Sequence, residues 1–401
     1  MNKIELLAPA GDLEKLKIDV LYGADAVYIG GKAFSLRSAS TNFTNEELIE
    51  AVEFAHAHNC KVYIAFNVYP NDEDKEQIDE YLLYLDQINI DAIIVSSLYV
   101  IKRACELNCH FELHVSTQES SANLHTIKFY ENYHVSRVVL ARELSLKQIR
   151  QLKRHTNMEI EVFIHGAMCC SFSGRCTLSN YFTDRDANKG SCSHPCRWDY
   201  DLYKNGKCLN NKFLLGSKDL MSIQYIKDLI DAGVSSLKIE GRMKSLNYLA
   251  HVVKTYRKLI DDIYQNKVED LNVYLDEISQ SGNRVTTVAW LKGYTDNNDL
   301  IYTFSNFPQQ NFLGMVLSYD SKTHLALLDS KNVFSVGDIV ELISFDRNTI
   351  EFKITKIIDP DGNEVNIANN TFYKYRIEVP FDVKMYEILR KKEKSVKKAL
   401  S

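Results

Sequence analysis

Residues 5–29 read ELLAPAGDLEKLKIDVLYGADAVYI: a short apolar run, an amphipathic stretch and a second apolar run. In the middle stretch Leu13, Leu16, Val20 and Leu21 fall on one face, the spacing of a helix that buries one side. The flanking runs, 4–8 and 26–29, lack strict apolar–polar alternation, as expected of strands covered on both faces. The stretch therefore predicts a strand, a crossover helix and a parallel strand.

The unit recurs. Apolar runs rich in Val, Ile and Tyr occupy 62–66, 92–95, 111–115, 137–140, 160–164 and 236–239. Helical patterns lie between many of them. Thr44 and Glu47 form a capping box ahead of Leu48, Val52 and Ala55, a signature of a helix start. Leu220, Ile223, Ile226, Leu229 and Ile230 make a further stripe that Gly233 closes, glycine being the common residue past a helix end. Eight strands with helical crossovers predict an α/β fold, a TIM-like (β/α)8 barrel over residues 1–265. An open doubly wound sheet is the rival, because strand count does not prove closure. The Gly30-Gly31 pair is too short for a dinucleotide fingerprint.

One crossover is much longer than the rest. A cysteine-rich insertion spans about 165–215, and long insertions after a barrel strand fall on the C-terminal face, where chemistry is expected. Within it, 199–204, the turn Asn205-Gly206 and 213–215 read as a hairpin. A helical linker and connecting segment follows over 266–310, with a helix near 270–278. Short strands at 312–318, 324–329, 339–343, 351–358 and 374–379, with turns at Gly337-Asp338 and 359–362, predict a small C-terminal β-barrel domain over 311–390. Residues 391–401 form a basic tail.

The 401 residues accommodate two domains, with 45% hydrophobic and 25% charged side chains as in globular proteins. No run of 18 apolar residues exists and the N-terminus lacks a secretory plan, so the expected location is cytoplasmic, with no membrane partner. Net charge is −5, which offers no global attraction to nucleic acid. Six basic residues between Arg390 and Lys398 stand against Glu393 alone. They read as a solvated tail, with a phosphate contact as the other reading.

Five of nine cysteines fall within 28 residues, which points to metal or redox chemistry rather than to core packing. Residues 163–200 read FIHGAMCCSFSGRCTLSNYFTDRDANKGSCSHPCRWDY, and Cys169, Cys176, Cys192 and Cys196 are the candidate ligands. Four thiolates suit a tetrahedral zinc or a cubane iron–sulfur cluster, and spacing leaves the two level. Arg175 and Arg197 flank two of the ligands and favour thiolates there. Cys170 competes with Cys169 and is read as packing; Cys208 is a substitute ligand. His165 and His194 are read as hydrogen-bonding histidines.

Polar groups gather where strands end. His114, Ser116 and Gln118 share one side of a strand, as do Lys238, Glu240 and Arg242. Charged groups converging there suit a carboxylate ligand, against a salt-bridged barrel rim. Arg37, Asn67 and the Arg142–Glu143 pair follow other strands. Neither a Gly-x-Ser-x-Gly elbow nor an HExxH motif is present, which argues against the usual serine and zinc proteases.

ELLAPAG at 5–11, GADAVYIG at 23–30, the segments 165–176 and 192–198, and 238–242 with the helix behind it resemble the collagenase-like peptidase family U32. The resemblance covers nearly the whole chain and is strongest to the tRNA-hydroxylation branch. It implies formation of 5-hydroxyuridine at the wobble uridine of tRNA, with prephenate as hydroxyl source. It also implies a 4Fe-4S cluster on Cys169, Cys176, Cys192 and Cys196, which decides the metal for iron–sulfur. The partners implied are the tRNA anticodon stem-loop, prephenate and a paralogous family member. The substrate-binding candidates are Arg37, Asn67, Gln118, Arg142, Lys238, Glu240 and Arg242. The alternative is a peptidase.

Overall fold

The computed structural model describes residues 3–32, 34, 42–187, 192–268, 270–281, 284–301 and 311–392. Strands β1 (Glu5–Pro9), β2 (Ala26–Ile29), β3 (Lys61–Phe66), β4 (Ala92–Val95), β5 (Glu112–Val115), β6 (Arg137–Val139) and β7 (Glu159–Gly166) run parallel in chain order. The hairpin β8 (Tyr200–Lys204) and β9 (Lys207–Phe213) and the short β10 (Asp219–Met221) belong to the insertion. Strand β11 (Ser236–Ile239) then pairs in parallel with both β7 and β1. The sheet is closed, so the barrel holds and the open sheet does not.

Helices α1 (Leu13–Leu21), α2 (Asn45–Ala57), α3 (Lys75–Gln87), α4 (Leu98–Glu106), α5 (Leu124–Glu131) and α6 (Leu146–Lys153) form the shell. In the insertion lies α7 (Leu178–Thr183), and α8 (Ile226–Asp231) and α9 (Leu246–Tyr264) complete the ring, with α10 (Asn272–Ser279) beyond. The capping box at Thr44 forms as read, with Glu47 returning to the Thr44 amide at 2.8 Å. Outward-facing strand residues such as Leu6, Val27, Val62 and Ile64 pack against the helices in the main core. Their alternates point inward: Leu7, Ala26, Tyr28, Tyr63, Ala92 and Ile94 make a separate cluster inside the barrel. Both faces are buried, which is why the sequence showed no alternation.

The other half of the interior is charged. At the floor, Arg137 reaches Glu5 at 2.5 Å, Glu159 at 2.7 Å and Glu161 at 3.4 Å. Tyr63 and Ser236 donate to Glu5 at 2.6 and 2.7 Å. Burial of this kind is tolerable only when each charge is paired and hydrogen-bonded, and here the carboxylates and guanidinium satisfy one another.

The C-terminal domain is an antiparallel half-barrel: β13 (Phe312–Asp320), β14 (Leu325–Ser330), β16 (Ile339–Ile343), β17 (Ile350–Lys353), β18 (Ile357–Ile358), β19 (Glu364–Val365), β21 (Lys374–Glu378) and β22 (Ile388–Lys391). A separate pair, β15 (Phe334–Ser335) with β20 (Ile367–Ala368), lies beside it; β12 (Thr286–Thr287) pairs with β10 in the barrel sheet. Phe312, Met315, Ile343 and Ile388 join the core of the barrel's shell. Tyr22 donates across the seam to Ile343 O at 2.8 Å.

Four readings change. Leu220 lies in β10, not in a helix, because residues 219–221 pair with the end of β7. The second hairpin strand begins directly after the Asn205-Gly206 turn, where Gly206 takes φ +76, instead of at 213. The run 351–358 is two strands, β17 and β18. Of the six basic residues read as a solvated tail, Arg390 and Lys391 lie in β22: Arg390 is buried and bonded to Glu277 at 2.9 Å and Glu341 at 2.7 Å, and Lys391, the first residue of the tail over 391–401, is paired to Asp338 at 2.9 Å. Residues 393–401 lie outside the described residues.

Candidate active site at the barrel mouth

The cysteine loop leaves β7 through Gly166, whose φ is +104 and where a Cβ would meet Glu240 O at 2.3 Å. It is then stapled across the C-terminal ends of the strands. Ser173 donates its amide to Glu143 at 2.9 Å and its hydroxyl to the same carboxylate at 2.6 Å. The Arg142 amide donates to Ser173 Oγ at 3.0 Å, and Ser120 donates to Ser173 O at 2.6 Å. Gly174, at φ +80, lies so close that a Cβ would sit 2.5 Å from Gln118 Cα. Only glycine fits that approach.

These contacts gather the cysteines over the mouth. The Cys170 thiol donates to Cys196, and that bond, with Arg197 behind it, brings Cys196 down to about 6. Cys170 is correspondingly pushed up, first by the same bond and then by burial, with Cys176 and Cys169 also acting on it. Cys170 is exposed and engaged with a candidate ligand, a different position from the packing role read in the sequence. Cys169 is exposed on the loop, yet the protein crowding its sulfur pushes the thiol up, while Arg142 pulls it down and Cys196, Cys192 and Glu240 add to the rise. Cys169 and Cys170 thus each lie within electrostatic reach of Cys196, with Cys192 acting on the first and Cys176 on the second, and their chemistry suits a thiolate-held centre. Among the described residues no three His, Cys, Asp or Glu side chains form a ready-made single-ion group. His165 is turned away, bonded to Tyr256 at 3.2 Å.

Gln118 is buried under the loop and accepts from Ser96 at 3.2 Å and Ser116 at 3.4 Å. The Arg142 guanidinium stacks over Phe163 at 3.9 Å and donates to Ala167 O at 3.1 Å. Its Nε is buried with no hydrogen-bond partner among the described residues. Glu240 and Arg242 are buried at the end of β11, Arg242 donating to Asn42 at 2.7 Å. Lys238 points deeper, ion-paired to Glu161 at 2.6 Å and 4.6 Å over the Tyr28 ring. Burial draws Lys238 down, and burial acts to raise the Glu161 carboxyl, but Lys238 and then Arg137 outweigh it and hold it below its ordinary value. Asn67, half-buried, follows β3, and Arg37 lies outside the described residues.

Sequence reasoning missed Asp219. Its side chain is fully buried, with Lys244 at 3.2 Å and Arg284 at 3.7 Å, and Oδ1 lacks a hydrogen-bond partner among the described residues. Burial raises its carboxyl, and Glu240 nearby adds to the rise. An acid inside the short apolar stretch after the insertion is the available signal, hidden because Leu220 fits the spacing of the helical stripe that follows it.

No helix among the described residues is long and apolar enough to cross a membrane. Residues 11–300 match the sequence profile of peptidase family U32, and residues 308–390 match the family's C-terminal domain. The chain is 41% identical over 397 residues to tRNA hydroxylation protein P1 of Bacillus subtilis, covering 96% of this chain and 93% of that one. To tRNA hydroxylation protein P of Escherichia coli it is 32% identical over 436 residues, covering 96% of each. To the 23S rRNA 5-hydroxycytidine C2501 synthase of Escherichia coli it is 38% identical over 269 residues, 66% of this chain and 40% of that one. With both of its domains matched in order, the chain belongs to peptidase family U32.

Proposed function

We propose that this chain is an RNA-modifying hydroxylase that converts the wobble uridine of tRNA to 5-hydroxyuridine, taking the hydroxyl group from prephenate. The observation that carries the reading is the cysteine loop stapled over the barrel mouth beside Arg142, in a chain whose close relatives are named for RNA hydroxylation. Cys169, Cys176, Cys192 and Cys196 would hold a 4Fe-4S cluster, with Cys170 the neighbour that competes for a place. Such a cluster supplies one-electron transfer when bound.

The remaining work falls to side chains. Prephenate carries two carboxylates, and a guanidinium with an unused donor is the group that binds them; Arg142 has that donor. Arg242 and Gln118 line the same rim. Asp219, buried and raised toward the protonated form, is suited to hold or pass a proton at the mouth. The uridine must leave its stack to be reached, which an anticodon loop allows at low cost.

Nucleoside mass spectrometry of tRNA from a strain lacking this protein and any paralogue tests the reading. Loss of 5-hydroxyuridine is expected, and an unchanged level would end it. Cleavage of a peptide substrate by the purified protein, abolished by Cys196→Ala, would favour the peptidase reading instead.

A further inference from the structure

The insertion carries an aromatic surface for which neither the fold nor the mouth has a use. Tyr181 on α7 is 83% exposed. Its ring meets Phe182 edge-on at 5.2 Å, and Phe182 meets Trp198 at 6.2 Å and Tyr200 at 5.8 Å. Phe182 and Trp198 are themselves 43% and 40% exposed. The rings therefore pack mainly on one another in water, which soluble surfaces rarely tolerate without a partner.

Two further observations say what the partner is. Residues 169–213 hold seven basic and four acidic side chains, a local excess of three positive charges supplied by Lys204, Lys207 and Lys212 of the hairpin that follows the rings, in a chain of net charge −5. Arg175 and Arg185 are exposed and Arg197 is half-exposed. The cluster also adjoins the thiols: Tyr200 is pushed up, first by burial and then by Cys196 and Cys170. Exposed rings interleaved with cations are the chemistry of single-stranded nucleic-acid binding, in which bases stack and phosphates are neutralised.

We infer that Tyr181, Phe182 and Trp198 form the RNA-docking surface, on which unpaired loop bases stack while Arg175, Arg185 and Arg197 take the flanking phosphates. The base next in line then faces the barrel mouth beside Cys196. The inference rests on the RNA-directed reading above and adds where the RNA sits.

The test is fluorescence anisotropy of the full-length protein with a labelled anticodon stem-loop RNA carrying a wobble uridine. Tyr181→Ala weakens binding about tenfold or more, the effect of losing a stacked base, while Tyr181→Phe stays within about twofold. Arg185→Gln flattens the salt dependence by about 0.7 in log–log slope. Phe372→Ala, on the C-terminal domain and 95% exposed, binds as the unaltered protein does. Tyr181→Ala binding within about twofold overturns the inference, as does a loss confined to Phe372→Ala. A dimer that Tyr181→Ala dissociates, with RNA affinity intact, marks the rings as a contact between copies and overturns it too. The two readings fail separately. If deletion removes the modified nucleoside and Tyr181→Ala restores it fully, the docking surface is wrong and the hydroxylase stands. If deletion leaves the nucleoside and the unaltered protein binds through Tyr181, the hydroxylase is wrong and the surface stands.

Discussion

The floor and the mouth of the barrel are built from the same kinds of residue and use them in opposite ways. At the floor, Glu5, Glu161, Arg137 and Lys238 are ion-paired to one another inside the barrel. At the mouth, Arg142 Nε and Asp219 Oδ1 are buried without a hydrogen-bond partner among the described residues, and the Cys170 thiol hydrogen-bonds to Cys196. A buried polar atom left unpartnered costs about 1–3 kcal/mol. Among the described residues unpartnered buried atoms also occur elsewhere, at His114 Nδ1 beside the floor and at Asp19 in α1, but the four charged groups of the floor are all paired, whereas Arg142 and Asp219 keep an unpartnered atom beside the cysteine loop. Saturation of the charged side chains, rather than charge itself, separates the floor from the mouth.

Breaking the floor gives the largest effect. Arg137→Met leaves Glu5 and Glu161 buried without their shared cation, with Glu161 keeping only Lys238. The expected cost is about 3–5 kcal/mol in urea unfolding. A loss below about 1 kcal/mol, the size of an exposed pair, would show that the floor is not saturated in the sense argued.

The same satisfaction recurs at the seam between domains, where pH reads it. His251 on α9 donates Nδ1–H to Asn247 O at 2.7 Å and accepts at Nε2 from Arg390 at 2.8 Å. Burial first, and Arg390 second, bring its pKa from 6.5 to about 4, with Lys254 acting the same way and Glu277 opposing. The folded state therefore binds fewer protons than the unfolded state between these values. Stability is full above pH 6.5, drains as pH falls and stops draining below about 4, a total of about 3 kcal/mol. Urea titrations at pH 7 and 4.5 should show His251→Gln losing about 2–3 kcal/mol less than the unaltered protein over that interval. Equal losses in the two proteins would mean that the histidine is charged in the fold.

The contrast also explains what could be read from the chain. The β1–α1–β2 stretch was legible because both strands are buried on both faces and α1 has one clear stripe. The capping box at Thr44 needed no tertiary information. Floor and mouth were not separable, because Lys238, Glu240 and Arg242 alternate along one strand end and sequence gives no depth: Lys238 descends to Glu161, while the other two stay at the rim. Asp219 was lost because a three-residue strand has no period of its own and borrowed that of the helix after it. The two-residue strands of the C-terminal domain, such as β15 and β20, were missed for the same reason. The cysteines announced themselves by spacing, but Ser173 and Glu143, which hold their loop in position, are ordinary residues whose role exists only in three dimensions.

Arg142 sharpens the comparison most finely, because its stability effect should be the smallest. Its guanidinium has one ring beneath it and one carbonyl in reach, and a cation–π contact contributes about 0.5–2 kcal/mol. Arg142→Gln should therefore cost about 1 kcal/mol in urea unfolding, well short of Arg137→Met. On the proposal that Arg142 offers a donor to prephenate, the prephenate KM of Arg142→Gln should rise about tenfold or more, and Arg142→Lys should not restore it, since an ammonium cannot make a bidentate pair. The two measurements must diverge for the distinction to hold. If Arg142→Gln lost about 3 kcal/mol or more with KM unchanged, Arg142 would be scaffold like the floor. Unused donors would then not mark the ligand end of this barrel.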